Sequence, residues 1–201
     1  MLAQSGWTLL GFSVIEWIAV GFGIACVVLT VRQNIWCWPI GLVQVGLYIF
    51  IFYDARLYSD AGLHVVYVIL CLYGWWFWLR GGRDEGPPRV TRLRLIHLVA
   101  WLVACAVGTA GLGGAMYRFT DADLPFWDAA TTVGSLVAQY LMARKALESW
   151  LFWIGVDVVA IGVYAVKGLH PTAGLYVVFL VLATIGYFAW RSTWQANPRP
   201  A

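Results

Sequence analysis

Seven stretches in which apolar residues crowd out polar ones run through this chain, with short polar breaks between them. They cover approximately Phe12 to Val31, Ile35 to Tyr53, Ala61 to Leu79, Leu93 to Leu112, Phe126 to Met142, Trp150 to Val166 and Thr172 to Trp190. Each is close to the roughly 17 to 25 residues that a helix needs to cross about 30 Å of hydrocarbon. The pattern predicts an all-α integral membrane protein of seven transmembrane helices, a single membrane domain over residues 1–201. The connections are short, and the longest basic one is RGGRDEGPPRVTRLR from Arg80 to Arg94. Function must then reside inside the helical bundle.

Composition agrees with the pattern: 62% of the 201 residues are hydrophobic, 11% are charged, and the mean hydropathy is +0.76. A water-soluble domain is not that apolar. No cleavable leader is expected, because the N-terminus lacks a basic stretch and its first apolar segment is long enough to span. Cys26, Cys37, Cys71 and Cys105 have neither metal-ligand nor redox spacing and read as packing residues. With seven spans, Arg56, Arg118 and Lys167 fall on the side of the N-terminus, and the other ten of the thirteen basic residues fall on the opposite side. Basic loops stay in the cytoplasm, so the N-terminus is expected outside and the C-terminus inside. A basic cytoplasmic rim in contact with membrane lipid accounts for the net charge of +3, and no nucleic acid is implied.

The third and seventh spans resemble each other. AGLHVVYVILCLYGWWFW from Ala61 aligns with AGLYVVFLVLATIGYFAW from Ala173 at a shift of 112, and 8 of the 18 positions are identical. Tyr67 faces Phe179 in that alignment, and a shift near 114 places Trp36, Ile40 and Gly41 on Trp150, Ile154 and Gly155. Duplication predicts two parallel three-helix repeats, residues 12–79 and 126–190, joined by a linker helix at 93–112 in a 3+1+3 arrangement. A substrate would lie between the copies, near the middle of the membrane.

The sixth span, SWLFWIGVDVVAIGVYAVKG, carries Asp157 about seven residues in, some 10 Å below the surface at roughly 1.5 Å per residue. A carboxylate at that depth must face protein, water or ligand, and its default reading is functional. Helical spacing puts Trp150, Trp153, Asp157 and Tyr164 on one face. Two indoles, an acid and a phenol suit a flat cationic heterocycle, since indole faces attract cations and stack on rings while the carboxylate opposes the charge. The bland alternative makes Trp150 an interfacial belt residue and Asp157 a hydrogen-bond partner for a neighbouring helix.

Thr132, Ser135 and Gln139 form a polar stripe on the fifth span, able to bind a ribose or an amide or else to knit helices together. Gln44 and Tyr48 make a one-turn pair on the second span, and His64 on the third could sense protons, bond substrate or simply pack. The chain has no Walker A loop, no Ser-His-acid constellation and no HExxH, so neither enzymatic chemistry, a metal nor a cofactor is expected. No Lys or Arg lies in the interior of any of the seven stretches, Arg94 standing at the very start of the fourth, which disfavours a phosphorylated substrate.

LYSDAGLHVVYVILCLYGWWFW and SLVAQYLMARKALESWLFWIGVDVVAIGVYAVKGLHPTAGLYVVFL resemble the PnuC family of vitamin transporters, over most of the chain from Trp36 to Trp190. The resemblance implies a SWEET-related fold of seven core helices, a homotrimer in the cell inner membrane, and uptake of nicotinamide riboside by facilitated diffusion with alternating access. A cytoplasmic kinase would then trap the vitamin by phosphorylation. The family's sixth-span tryptophan pair and following amide or acid match Trp150, Trp153 and Asp157, with Asp where some members carry Asn. His64 stands where Gln is expected. Sister branches carry thiamine, whose thiazolium an acid would also favour.

Overall fold

The computed structural model describes residues 14–54, 56, 58–81, 88–121 and 123–196, and at 58–60 the backbone alone. Phe12 and Ser13, with which the first expected span begins, and Arg83 of the basic loop lie outside the described residues. Among the described residues there are seven α-helices: α1 Val14–Val31, α2 Cys37–Asp54, α3 Tyr58–Arg80, α4 Leu95–Phe119, α5 Pro125–Ala143, α6 Ser149–Val166 and α7 His170–Ala196. Six are long and apolar enough to cross a membrane, and the exception is α5. Asp128, the threonines, Ser135 and Gln139 lower its hydropathy. It is also the helix with the most extensive buried face, with Ala129, Gly134, Val137, Ala138 and Leu141 to Ala143 all covered. A helix packed between α4 and α6 meets less lipid and tolerates more polar atoms.

The helices α4 and α7 outrun the expected spans. α4 continues through Gly113 and Gly114 to Phe119, because a Cβ at Gly113 would strike the Phe126 ring, and the bare backbone lets α5 approach. The spans drawn at 93–112 and 172–190 were therefore too short at their C-terminal ends.

The chain falls into two compact units, residues 1–88 and 89–201, with α4 in the second. In each unit consecutive helices pack on one another. Several local features recur at a spacing of 112 residues. α1 ends at Val31 and α5 at Ala143; α2 runs Cys37–Asp54 and α6 Ser149–Val166; α3 starts at Tyr58 and α7 at His170. Left-handed backbone occurs at Gln33 and Lys145, and again at Arg56 and Gly168. Ring geometry repeats as well. Trp38 meets Trp78 edge to face at 5.4 Å and 84°, and Trp150 meets Trp190 at 5.5 Å and 89°. The expected shift near 114 for the second and sixth spans is thus replaced by 112, which pairs Trp38 with Trp150. Trp36 is exposed, at 63%, and has no such notch.

The basic connection before α4 does more than fix topology. Thr91 donates its N–H to the Lys145 carbonyl at 2.9 Å and accepts from the Leu147 N–H at 2.8 Å, a short parallel bridge to the α5–α6 turn. The buried Glu148 carboxylate accepts the Leu93 N–H at 2.9 Å and lies 3.6 Å from the Arg92 guanidinium, which also sits over the Trp194 ring. Lys145, counted among the rim charges, is itself buried. Glu148→Ala removes the acceptor of a part-buried N–H and is expected to cost about 1–3 kcal/mol, read as a lower thermal unfolding midpoint in detergent. Arg92 is 60% exposed, and Arg92→Ala should cost at most about 1 kcal/mol. Equal losses for the two variants would assign the hold to the ion pair instead of the backbone cap.

Candidate functional site

The site is best built from α6, the helix that combines a long apolar run with a buried acid. Asp157 is 3% exposed. Among the described residues no lysine or arginine forms an ion pair with it: Lys167 pairs with Asp128, and Arg92 with Glu148. The carboxylate therefore faces the interior of its unit, away from lipid, without a fixed cation. α5 approaches at this level. A Cβ on Gly134 would come within 2.9 Å of a Val156 methyl, so glycine is what lets the α5 backbone reach the residue preceding Asp157.

The polar stripe of α5 lies on a different face of that helix from Gly134. Ser135 is buried and donates its hydroxyl proton to the Thr132 carbonyl at 3.0 Å. Thr132 and Gln139 are half-buried one turn to either side. At the far end of the same two helices the Lys167 ammonium lies 3.2 Å from both Asp128 oxygens, joining the first turn of α5 to the C-cap of α6.

The four residues expected on one α6 face separate into three environments. Trp150 is 2% exposed, with its ring pressed on Gly186 and edge-on to Trp190, so its ring partner belongs to α7 and not to Trp153. Trp153 is half-buried one turn before Asp157. Tyr164, two turns beyond Asp157, stacks on Tyr176 at 5.3 Å and 19°, and Tyr176 meets Phe179 edge-on.

The first unit holds a counterpart of that ring cluster. His64 packs on Tyr48 at 5.5 Å, Phe52 at 5.0 Å and Tyr67 at 5.5 Å, and Tyr48 stacks on Phe52. The structure thus joins Tyr48 and His64 as expected candidates, while Gln44 lies half-buried one turn earlier on α2. Phe52, Tyr67, Tyr176 and Phe179 were missed as members of these clusters. The spacing of 112 could have found them, since it carries Phe52, His64 and Tyr67 onto Tyr164, Tyr176 and Phe179.

A groove of about 450 Å³ between α4, α5 and α6 is lined by Leu102, Cys105, Thr109, Gly134, Phe152 and Val156 among others. It carries no charged group and none of the expected polar ligands. Among the described residues no cluster of His, Cys, Asp or Glu could hold a metal ion.

Long apolar helices and a buried acid within one of them fit a membrane protein, and comparison with known proteins specifies its family. The sequence model of the nicotinamide mononucleotide transporter family matches residues 13–192, and the chain belongs to that family. It is 28% identical to the nicotinamide riboside transporter PnuC of Escherichia coli, over 88% of this chain and 85% of the relative. It is also 28% identical to the riboflavin/roseoflavin transporter RibM of Streptomyces davaonensis, over 89% and 84%. The crystal structure of the vitamin B3 transporter PnuC superimposes with a TM-score of 0.74 at 28% identity, covering 91% of this chain and 83% of that one. The protein is a multi-pass membrane protein related to vitamin transporters.

Gly134→Leu is expected to push α6 away from α5 and cost about 1–3 kcal/mol by overpacking, measured as a lowered unfolding midpoint. Gly155→Ala, on the same helix as Asp157 but with open space around its Cβ, should leave that midpoint unchanged or raised.

Proposed function

We propose that this protein takes up nicotinamide riboside across the cell inner membrane by facilitated diffusion with alternating access, and that a cytoplasmic kinase traps the vitamin by phosphorylation. In this reading all seven helices span, α5 included, with the N-terminus outside and the C-terminus inside. Residues 12–79 and 126–190 are two parallel repeats joined by the linker, and the assembly is a homotrimer. The recurrence of helix ends, left-handed turns and Trp pairs at 112 residues supports the duplication.

The observation that carries the substrate reading is the buried Asp157 carboxylate with no lysine or arginine paired to it among the described residues. A charge in that position is compensated when a cation binds beside it. Nicotinamide riboside brings a permanent pyridinium. In this reading Trp153, one turn from the acid, receives the ring, and Ser135, Thr132 and Gln139 contact the ribose hydroxyls and the carboxamide. Gln44, Tyr48 and His64 complete the proposed set from the first unit, and Tyr164 contributes through its ring cluster. Trp150 supports the site from its slot over Gly186.

A second reading follows from the relatives. PnuC and RibM match at the same identity, so overall similarity does not choose between a charged and an uncharged vitamin. Thiamine is cationic and would use Asp157 in the same way, whereas riboflavin is neutral and would have no need of it.

Calorimetry on purified wild-type and Asp157→Asn protein with nicotinamide riboside, thiamine and riboflavin separates these readings. Nicotinamide riboside is expected to bind the wild type and to weaken at least about tenfold in the variant, roughly 1.4 kcal/mol or more. Equal affinity in both proteins would remove the acid as counter-ion, and binding of riboflavin alone would move the assignment to a neutral vitamin. A carrier should leave the vitamin chemically intact in detergent and move it only across sealed vesicles.

A further inference from the structure

Trp38 and Trp150 occupy matched notches. Each is the second residue of an 18-residue helix, α2 or α6. Each lays its six-membered ring where the Cβ of a glycine on the following helix would be, Gly74 for Trp38 and Gly186 for Trp150. Each then meets a second, deeply buried indole edge to face, Trp78 or Trp190. Only a glycine allows α3 or α7 to approach this closely, so the seated ring acts as a key between two helices.

The indole nitrogens make the notches more than packing. Among the described residues the Nε1–H groups of Trp38, Trp150 and Trp194 are buried without an acceptor, and two of the three are the seated rings. A donor buried in this way is destabilising, and phenylalanine would fill the slot without that burden. The seated state is therefore held by ring packing and opposed by its own unsatisfied donor. Withdrawing the ring removes both terms at once, which brings seated and unseated states closer in free energy than packing alone would leave them.

We propose that Trp38 is a gate and positioning residue of the transport cycle, with Trp150, which the family resemblance already puts among the site residues, as its matched counterpart. Seated over its glycine, the indole closes the end of the helix pair at which α2 or α6 begins. Unseated, it offers its Nε1–H to a hydroxyl or carbonyl oxygen of the passing vitamin. Trp38 gains a role that the reading of α6 does not supply, because it lies in the other unit. The inference rests on the transport function proposed above.

The test uses full-length protein reconstituted in sealed vesicles, with uptake of nicotinamide riboside, thiamine and riboflavin measured for the wild type, Trp38→Phe and Trp150→Phe. Thermal unfolding of the same proteins in detergent is recorded in parallel. Phenylalanine keeps a ring in the slot and deletes the donor. The expected result is an unfolding midpoint equal to or above the wild type together with uptake reduced at least threefold, for the vitamin that the wild type moves. Trp150→Phe repeats the test at the second notch should Trp38→Phe fail to fold. Unchanged uptake would overturn the gate alone, and so would a joint fall in midpoint and uptake, which marks simple packing. A wild type that moves none of the three vitamins would sink the transport reading and the gate with it.

Discussion

A carboxylate inside an apolar helix is tolerable only where neighbouring helices keep it from hydrocarbon, and this constraint organises the second unit. Lipid offers neither hydrogen bonds nor counter-charge, so a bare acid facing it would be costly. α6 meets the requirement by packing on both α5 and α7. On one side Gly134 lets the α5 backbone close on Val156, and on the other Gly186 admits the ring of Trp150. Without those two glycines the flanking helices would stand off, and Asp157 would lose its cover. The helix α5, too polar to pass as a span by hydropathy, packs on α6 at Val156 beside the acid, and its polarity is sustainable because one face of it is covered.

The same economy appears in the turns. A left-handed backbone is strained for any residue with a Cβ, by roughly 1–2 kcal/mol, yet Gln33, Arg56 and Lys145 adopt it and only Gly168 avoids the penalty. Local bonds offset the strain. After Gln33, the Asn34 carboxamide oxygen accepts the Trp36 N–H at 3.0 Å, and the Asn34 N–H reaches the Leu29 carbonyl. At Lys145 the carbonyl accepts from Thr91, so a distant segment helps hold the turn. Sharp reversals of this kind place α2 and α6 directly after α1 and α5, with Trp38 and Trp150 at their first turns. The notches thus depend on turn geometry as much as on the glycines that receive the rings.

Much of this was legible in the chain. Lipid selects for long apolar windows, so helix number and approximate position follow from the hydrophobic pattern, and Asp157 stands out because it interrupts one. The Thr132, Ser135 and Gln139 stripe was visible from its spacing of three and four. Glu148 was not, because an acid at a helix start looks like any interfacial charge until the Arg89–Leu93 segment folds back to give it an N–H and a guanidinium. The ring partner of Trp150 was not legible for a related reason. Helical spacing puts it on the face of Asp157, but it says nothing about a glycine thirty-six residues later whose missing side chain draws the ring toward α7. The shift expected between the second and sixth spans differs by two residues from the 112-residue spacing of the structural features because Trp36 and Trp38 are both tryptophan, and only the buried one makes the notch.

These features bear on why the acid and the notched tryptophans belong to one device. A fixed counter-ion gives a cationic vitamin affinity, but affinity alone would hold the cargo in place, and a carrier must also lower the cost of moving between states. A seated indole with an unsatisfied N–H supplies a bias of the opposite kind, since it makes the closed helix pair less stable than a purely apolar key would. In the proposed reading, charge compensation at Asp157 would act on the substrate, while the unpaired donors would act on the protein. The acid lies seven residues along the same helix as Trp150, about two turns away at roughly 1.5 Å per residue. A helix movement large enough to unseat the ring is thereby transmitted to the carboxylate, because both ride on one continuous hydrogen-bonded rod.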